Sequence, residues 1–398
     1  AAYGDNANMY IRGDSELWRT DGTLAGTVLI DTASTYHQSL TPAGNTLFFT
    51  GDSFDIWKSD GTAQGTQLVR NIRPAYPYQE SLTLTPVGDM VFFPADDGEH
   101  GRELWKSDGT EAGTVLVKDI RPGSSMPYYP GGISWKYGSS PRGFTASGDT
   151  LFFVANSSGG SESQLWVSDG TTQGTVAVTS FESDTEGGSA SYASMPALTV
   201  PFLTPSETGV FFRAEQGDLW HSDGTLSGTG VIKDFVDEFE QASSSSYASM
   251  AMLNGELLFS AKDSSHGVEL WSSDGTESGT QLVKDIASGT KSAFQSTGDQ
   301  SSSAVHASSA LLNGSLIFGL DDGVHGTELW RTDGTESGTS MLKDISLPQW
   351  GSPDSWSSFP EQFTAAQDRG FVFFVTEKTW GGDELWVTDG TTQGTRLL

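Results

Sequence analysis

The stretch Glu103-Leu104-Trp105-Lys106-Ser107-Asp108-Gly109-Thr110 decides the fold, with Gly113-Thr114 and the apolar run Val115-Leu116-Val117 behind it. The same register returns as Glu16 to Thr23, Asp55 to Thr62, Gln164 to Thr171, Asp218 to Thr225, Glu269 to Thr276, Glu328 to Thr335 and Glu384 to Thr391. Upstream of the later copies sits an adjacent apolar pair: Phe48-Phe49, Phe92-Phe93, Phe152-Phe153, Phe211-Phe212, Leu258-Phe259, Ile317-Phe318 and Phe373-Phe374. Before the pair lies a short strand-like stretch ending in a glycine turn, such as Leu82-Thr83-Leu84 ahead of Val87-Gly88-Asp89. Each unit therefore reads as four strands, A to D, in which C carries the tryptophan and D follows Gly-Thr. Asn or Asp with Gly marks the A-to-B hairpin, and Asp-Gly marks the C-to-D hairpin.

Neighbouring residues of a strand point to opposite faces of the sheet. Phe92 and Phe93 are both buried only if their sheet is covered on both sides. Sheets stacked face to face around an axis do this, and the expectation is an all-β chain, an eight-bladed β-propeller of four-stranded antiparallel blades. A solenoid would carry shorter and more regular repeats. Residues 1–398 are read as a single propeller with approximate blades 1–33, 34–73, 74–121, 122–180, 181–236, 237–287, 288–346 and 347–398. The first blade is expected to be incomplete at its N-terminus, because only Ala1 to Asn6 precede the Met9-Tyr10-Ile11 strand.

Lys and Arg number 21 against 51 Asp and Glu, a net charge of −30 that argues against nucleic acid and anionic membrane surfaces as partners. No stretch approaches the roughly 18 apolar residues of a membrane helix, so no membrane insertion is expected. The absence of cysteine excludes disulfides, zinc-thiolate sites and thiol catalysis. No nucleophile elbow, zincin motif or phosphate-cradling loop is present. Carboxylates are plentiful enough to keep a polysaccharide-active enzyme, a glycoside hydrolase or lyase, as the alternative reading.

The motif tryptophans Trp18, Trp57, Trp105, Trp166, Trp220, Trp271, Trp330 and Trp386 are read as structural wedges between neighbouring sheets. In the Asp-Gly-Thr turn the aspartate is expected to accept hydrogen bonds from nearby amides while the glycine supplies a positive φ. A second recurrence falls between strands B and C: Asp96-Asp97-Gly98-Glu99-His100-Gly101, Asp321-Asp322-Gly323-Val324-His325-Gly326 and, more loosely, Asp263-Ser264-Ser265-His266-Gly267. No cofactor is required by any motif. Calcium is the one candidate ion, at Asp96 and Asp97 or Asp321 and Asp322, since it wants six to eight oxygens; a hydrogen-bonded loop is the favoured reading of the same residues.

The units differ most in the D-to-A connections. These hold Tyr128, Tyr129, Trp135 and Tyr137 between Arg121 and Arg142, then Tyr192, Tyr247, and Trp350 with Trp356. Trp380, in the last B-to-C loop, is expected at the same end of the blades. Such an aromatic, sparsely charged rim suits recognition of carbohydrate or protein.

The eightfold motif resembles the bacterial ELWxxDGT-repeat (hyalin-like) family, with Asp55, Gln164 and Asp218 in place of the first Glu and Ile56 in place of Leu. That resemblance implies a β-propeller, secreted or at the cell surface of a bacterium, often as part of something larger, and implies no agreed activity. The run Ala95 to Trp105 also resembles the tryptophan-docking motif of quinoprotein dehydrogenases, which joins one blade to the next. The function expected is a non-catalytic binding or structural module, adhesive or matrix-forming, whose partner is a carbohydrate or another surface or matrix protein.

Overall fold

The computed structural model describes residues 2–4, 9–12, 16–31, 38–51, 55–72, 83–124, 136–158, 163–179, 203–214, 218–235, 250–294, 309–346, 357–376 and 382–398. The expected class is the one found: an all-β chain of the β-propeller class, whose strands fall into eight four-stranded antiparallel sheets, each in the sequential order A-B-C-D. The first sheet, expected to be incomplete, has all four strands; its A strand, Ala2–Gly4, is as long as those of the third, fifth, sixth and seventh sheets.

The third sheet illustrates the plan, with A at Thr85–Val87, B at Met90–Asp96, C at Arg102–Ser107 and D at Val115–Lys118. In register, Phe93 faces Trp105 and Phe92 faces Lys106. A bulge between Leu104 and Trp105 shifts the C-to-D pairing, and the sixth and seventh sheets carry it at the same motif position. Both members of the aromatic pair are buried, as are Phe48, Phe49, Phe152 and Phe153. The sheets are thus covered on both faces, which accounts for paired rather than alternating apolar residues in strand B.

Contacts gather the chain into two compact units, Ala1–Val210 with Ser222–Thr229, and Phe211–His221 with Gly230–Leu398. In the first, Phe92 packs with Leu151, Phe153 and Trp166 of the following sheet. In the second, Leu258 and Leu270 pack with Phe318 and Trp330 in the same manner.

A cation near the end of strand D ties consecutive sheets together. Lys118 Nζ donates to the Thr175 carbonyl of the next sheet at 2.7 Å, and Lys284 Nζ to Thr339 at 2.7 Å. Arg70 donates to Thr114, Lys233 to Thr280 and Lys343 to Thr395. Four of these cations also lie over the motif tryptophan of the next sheet, Lys233 on Trp271 at 5.0 Å being the closest approach. The tryptophans stand between sheets, and this cation–π contact belongs to that packing.

Candidate functional site

The C-to-D turns are the same in all eight sheets. Asp108 Oδ1 accepts the Thr110 amide at 2.8 Å and the Thr110 hydroxyl at 2.7 Å. Thr110 Oγ1 accepts the Gly113 amide, and Thr114 Oγ1 donates to the Thr110 carbonyl. Beneath them Ser107 and Thr114 share a buried hydroxyl pair at 2.7 Å. Gly109 takes φ +82. Gly113 is required for a different reason: a Cβ there would collide with the Asp108 carboxylate. The Thr side-chain hydrogen bond, followed by the Thr amide, holds the carboxyls of Asp21, Asp60, Asp169, Asp274, Asp333 and Asp389 below their usual range. Oδ1 of the aspartate and the hydroxyls of both threonines are thus engaged within the turn itself.

The other end of the sheets is where they diverge. In the third sheet Glu103, at the start of strand C and fully buried, gathers both ends of the D-to-A connection. Its Oε2 accepts the Ile120 amide at 3.1 Å and the Ser139 hydroxyl at 2.6 Å. Its Oε1 accepts the Arg121 amide at 3.1 Å and the Ser139 amide at 2.8 Å. The Ser139 carbonyl then accepts the Asn156 amide from the B-to-C loop of the next sheet. Glu269 repeats the arrangement with the amides of Ile286 at 2.8 Å and Ala287 at 3.3 Å. Glu328 takes the Ile345 amide at 2.8 Å, the Ser358 hydroxyl at 2.7 Å and the Ser358 amide at 3.2 Å.

These three sheets are the ones with the Asp-x-x-His-Gly loop. Its parts act with the glutamate two residues later. Asp97 accepts the Glu99 and His100 amides on Oδ1, and its Oδ2 meets His100 Nδ1 at 2.8 Å. Asp263 with His266, and Asp322 with His325, match this at 2.9 Å and 2.8 Å. Gly101 lies under the Tyr137 carbonyl and Gly267 under that of Lys291, so a side chain at either would displace the passing connection. The full unit is Asp-x-x-His-Gly-x-Glu. The run Ala95 to Trp105 spans this unit in the sequence, but nothing there assigns the glutamate its hold on the connection.

Burial pushes the Glu103 and Glu328 carboxyls up, against their hydrogen bonds. Burial, with Asp285 adding to it, raises Glu269 to about 7. Each histidine is raised by its aspartate partner. Burial works against the charge of Asp97 and Asp322, but loop amides and the imidazole hold both carboxyls below the usual range.

Elsewhere the glutamate position is used differently. Asp218 accepts the Phe235 amide at 3.2 Å. Gln164 accepts the Ser157 hydroxyl, while Thr179 serves the Leu165 amide. Glu16 is exposed and accepts its own Trp18 indole N–H.

Of the residues proposed for recognition, Tyr137 lies within the described structure, 37% exposed with the Arg121 guanidinium 4.7 Å from its ring centre. Its amide donates to Gly123, and Ser124 pairs with Lys136, so the base of this connection is a short antiparallel ribbon. Tyr128, Tyr129, Trp135, Tyr192, Tyr247, Trp350, Trp356 and Trp380 lie outside the described residues. Of the proposed calcium ligands, Asp96 and Asp321 each accept the amide of the loop glycine at 2.7 Å, and Asp97 and Asp322 are engaged as above. Among the described residues no group of three or more His, Asp or Glu is arranged to hold a metal.

No family model matches the chain, and no curated protein matches it. Among solved structures it is similar to the computationally designed Ika8 protein, at 13% identity and a TM-score of 0.41 over 93% of this chain and 87% of that one. It is similar to BamB from Moraxella catarrhalis at 11% identity and TM-score 0.40, over 81% and 80%. A puromycin hydrolase matches at 12% identity and TM-score 0.38, over 100% of this chain and 52% of that one. The chain spans about half the length of that hydrolase. Similarity at this level carries no argument about what the chain does.

Proposed function

We propose that the chain is a non-catalytic binding or structural module of the ELWxxDGT-repeat kind, exported by a bacterium to the medium or the cell surface. Its role is adhesive or matrix-forming, and it recognises carbohydrate or another surface protein through the end bearing the D-to-A connections. The observation that carries this reading is the pinned base of the third sheet's connection, with Tyr137 half-exposed above it. A connection whose ends are held in advance loses less entropy when its outer residues meet a ligand. An aromatic ring stiffened by a stacked guanidinium suits sugar or protein surfaces.

Two features favour a module over polysaccharide cleavage. The repeated carboxylates of the C-to-D turns each accept an amide and a hydroxyl of their own turn on one oxygen. The raised, buried carboxylates that would suit a general acid are committed to loop amides. No calcium ion enters the proposal, because Asp97 and Asp322 engage both oxygens with loop donors and Asp96 and Asp321 each take a loop amide.

The test is an immobilised panel of neutral and acidic polysaccharides probed with the wild-type chain and with Tyr137→Ala combined with Arg121→Ala. Retention on at least one polysaccharide, weakened several-fold in the double variant without a shift in melting temperature, supports the reading. Shortening of a polysaccharide chain, abolished by a single carboxylate substitution, overturns it in favour of an enzyme.

A further inference from the structure

We propose that the eighth sheet carries a docking face for the first sheet of a second copy of the chain, so that copies join head to tail.

The repeat itself states what such a face receives. On one face of a sheet three apolar positions come together: the first residue of the strand B pair, the leucine of the Glu-Leu-Trp motif, and the third residue after Gly-Thr. In the second sheet these are Phe48, Ile56 and Val69, and they pack with Phe93 and Trp105 of the third. In the seventh they are Ile317, Leu329 and Leu342, packed with Phe374 and Trp386 of the eighth. The turn glycine of the covering sheet completes the fit by lying against the same strand B residue. A Cβ on Gly109 would stand 3.3 Å from the Phe48 ring, and one on Gly170 3.2 Å from the Phe92 ring.

The eighth sheet has the same three positions, and there they are bare. Its strands B and C are Phe371–Thr376 and Glu384–Thr388. Val375 pairs with Leu385, and the Leu398 amide donates to the Leu385 carbonyl, so the backbone follows the plan of the other sheets. Yet Leu385 is 49% exposed, Leu398 is 60% exposed and Phe373 is only half-buried. The counterparts of Leu385 in the other seven sheets are at most 3% exposed, and those of Leu398 at most 9%. An apolar face bare in one sheet and covered in all its repeats marks an interface rather than scattered surface residues.

The first sheet supplies the matching cover. It carries Trp18, and Ile11 stands opposite Trp18 in register as Phe93 stands opposite Trp105. Gly22 has a φ of +87, like the other turn glycines, and a Cβ there would meet nothing within 4 Å. One chain thus bears both halves of the junction on different surfaces. Unlike faces on one molecule join head to tail, into closed rings or open chains. The net charge of −30 opposes the approach of two copies, so salt should favour the association. Nothing in this depends on what the D-to-A connections bind.

Sedimentation equilibrium of the intact chain, from about 1 to about 100 µM, is the test. The wild-type chain should associate, and more tightly at about 0.5 M salt than at about 0.1 M. Leu385→Asp should weaken the association about tenfold or more while leaving the melting temperature unchanged, because that side chain is exposed in the single copy. Gly22→Asn should do the same from the other side. Asparagine tolerates the positive φ, but its side chain fills the place that the facing ring must take. Gly109→Asn, where that ring is already present, should lower the melting temperature instead. Each association-deficient variant keeps one intact face. Mixed, Leu385→Asp and Gly22→Asn should form one-to-one dimers that grow no further, while each alone stays monomeric. A wild-type chain that is monomeric throughout the range at both salt concentrations overturns the proposal, whether its face is covered from within the chain or left bare. Association that neither variant weakens overturns it too, as does a mixture that stays monomeric. A chain that associates as expected but binds no polysaccharide leaves this interface standing and sinks only the recognition reading.

Discussion

The two ends of the sheets solve the same problem in opposite ways. At the C-to-D end an exposed aspartate, two threonines and two glycines close each turn in eight copies, with partners no more than seven residues away. At the opposite end a buried glutamate closes three connections, with partners seventeen to thirty-six residues away. Short-range polar bonding is indifferent to what lies outside the turn, so it repeats unchanged. Long-range bonding fixes only the ends of a segment and leaves its middle free to differ. Uniformity marks the end that builds the fold, and the partial repeat marks the end where segments are displayed.

Glu103→Ala gives the largest expected effect. It strands three amides and a hydroxyl in the interior, and guanidinium unfolding should show a loss of about 3 kcal/mol. Glu103→Gln, which keeps the shape, should lose clearly less. The same pair of changes at exposed Glu16 should lie within about 0.5 kcal/mol of wild type. An equal loss at both positions would erase the distinction between sheets whose strand C glutamate holds the connection and sheets where it does not.

Gly113→Ala forces the Asp108 carboxylate off Thr110 and should cost about 2 kcal/mol. Gly279→Ala should match it, because the turn is the same object in every sheet. Divergent values would show that the uniform end is uniform in sequence only. Lys118→Met removes a bond to Thr175 and the contact with Trp166, a loss of about 1 kcal/mol readable in the same unfolding curves.

The two ends should also respond to pH with opposite signs. The turn aspartates have depressed folded-state values, so their contribution is present above the unfolded value near 3.8 and fades as pH falls through the folded one. Glu269 is raised to about 7, so its contribution is complete below 4.5 and lost as pH climbs through 7. Stability should peak between these limits. In Glu269→Gln the alkaline side of the peak should become shallower while the acid side stays as it was. Smallest of all is the effect of excess chelator, which should leave the melting temperature within about 1 °C. A larger fall would restore calcium at Asp96-Asp97 or Asp321-Asp322 and reopen the reading of those loops.

The fold was legible because its signals are local. Paired aromatics such as Phe92-Phe93 demand two covered faces, and Asp108-Gly109 with Gly113-Thr114 writes a turn in adjacent letters. The candidate site was legible in outline: Tyr137 and the Asp-x-x-His-Gly recurrence stood out before any coordinates. The office of Glu103 did not, because Ser139 lies across a connection whose length varies from sheet to sheet. A carboxylate that bonds to backbone amides leaves no complementary residue type to find. Gly101 was equally opaque, since the Tyr137 carbonyl that excludes a side chain there is invisible in one dimension.

The strand D cations have a mechanical consequence. Lys118 pins the third sheet to the fourth at the turn end, and Ser139 pins it at the opposite end through Asn156. Lys284 and Ala293 do the same between the sixth sheet and the seventh. Two sheets fastened at one edge peel apart, breaking one contact after another at low force. Fastened at both, they must be sheared, with both pins and the aromatic layer between them loaded together. Under traction such a pair should give way abruptly at a high force, as a rivet does, rather than unzip.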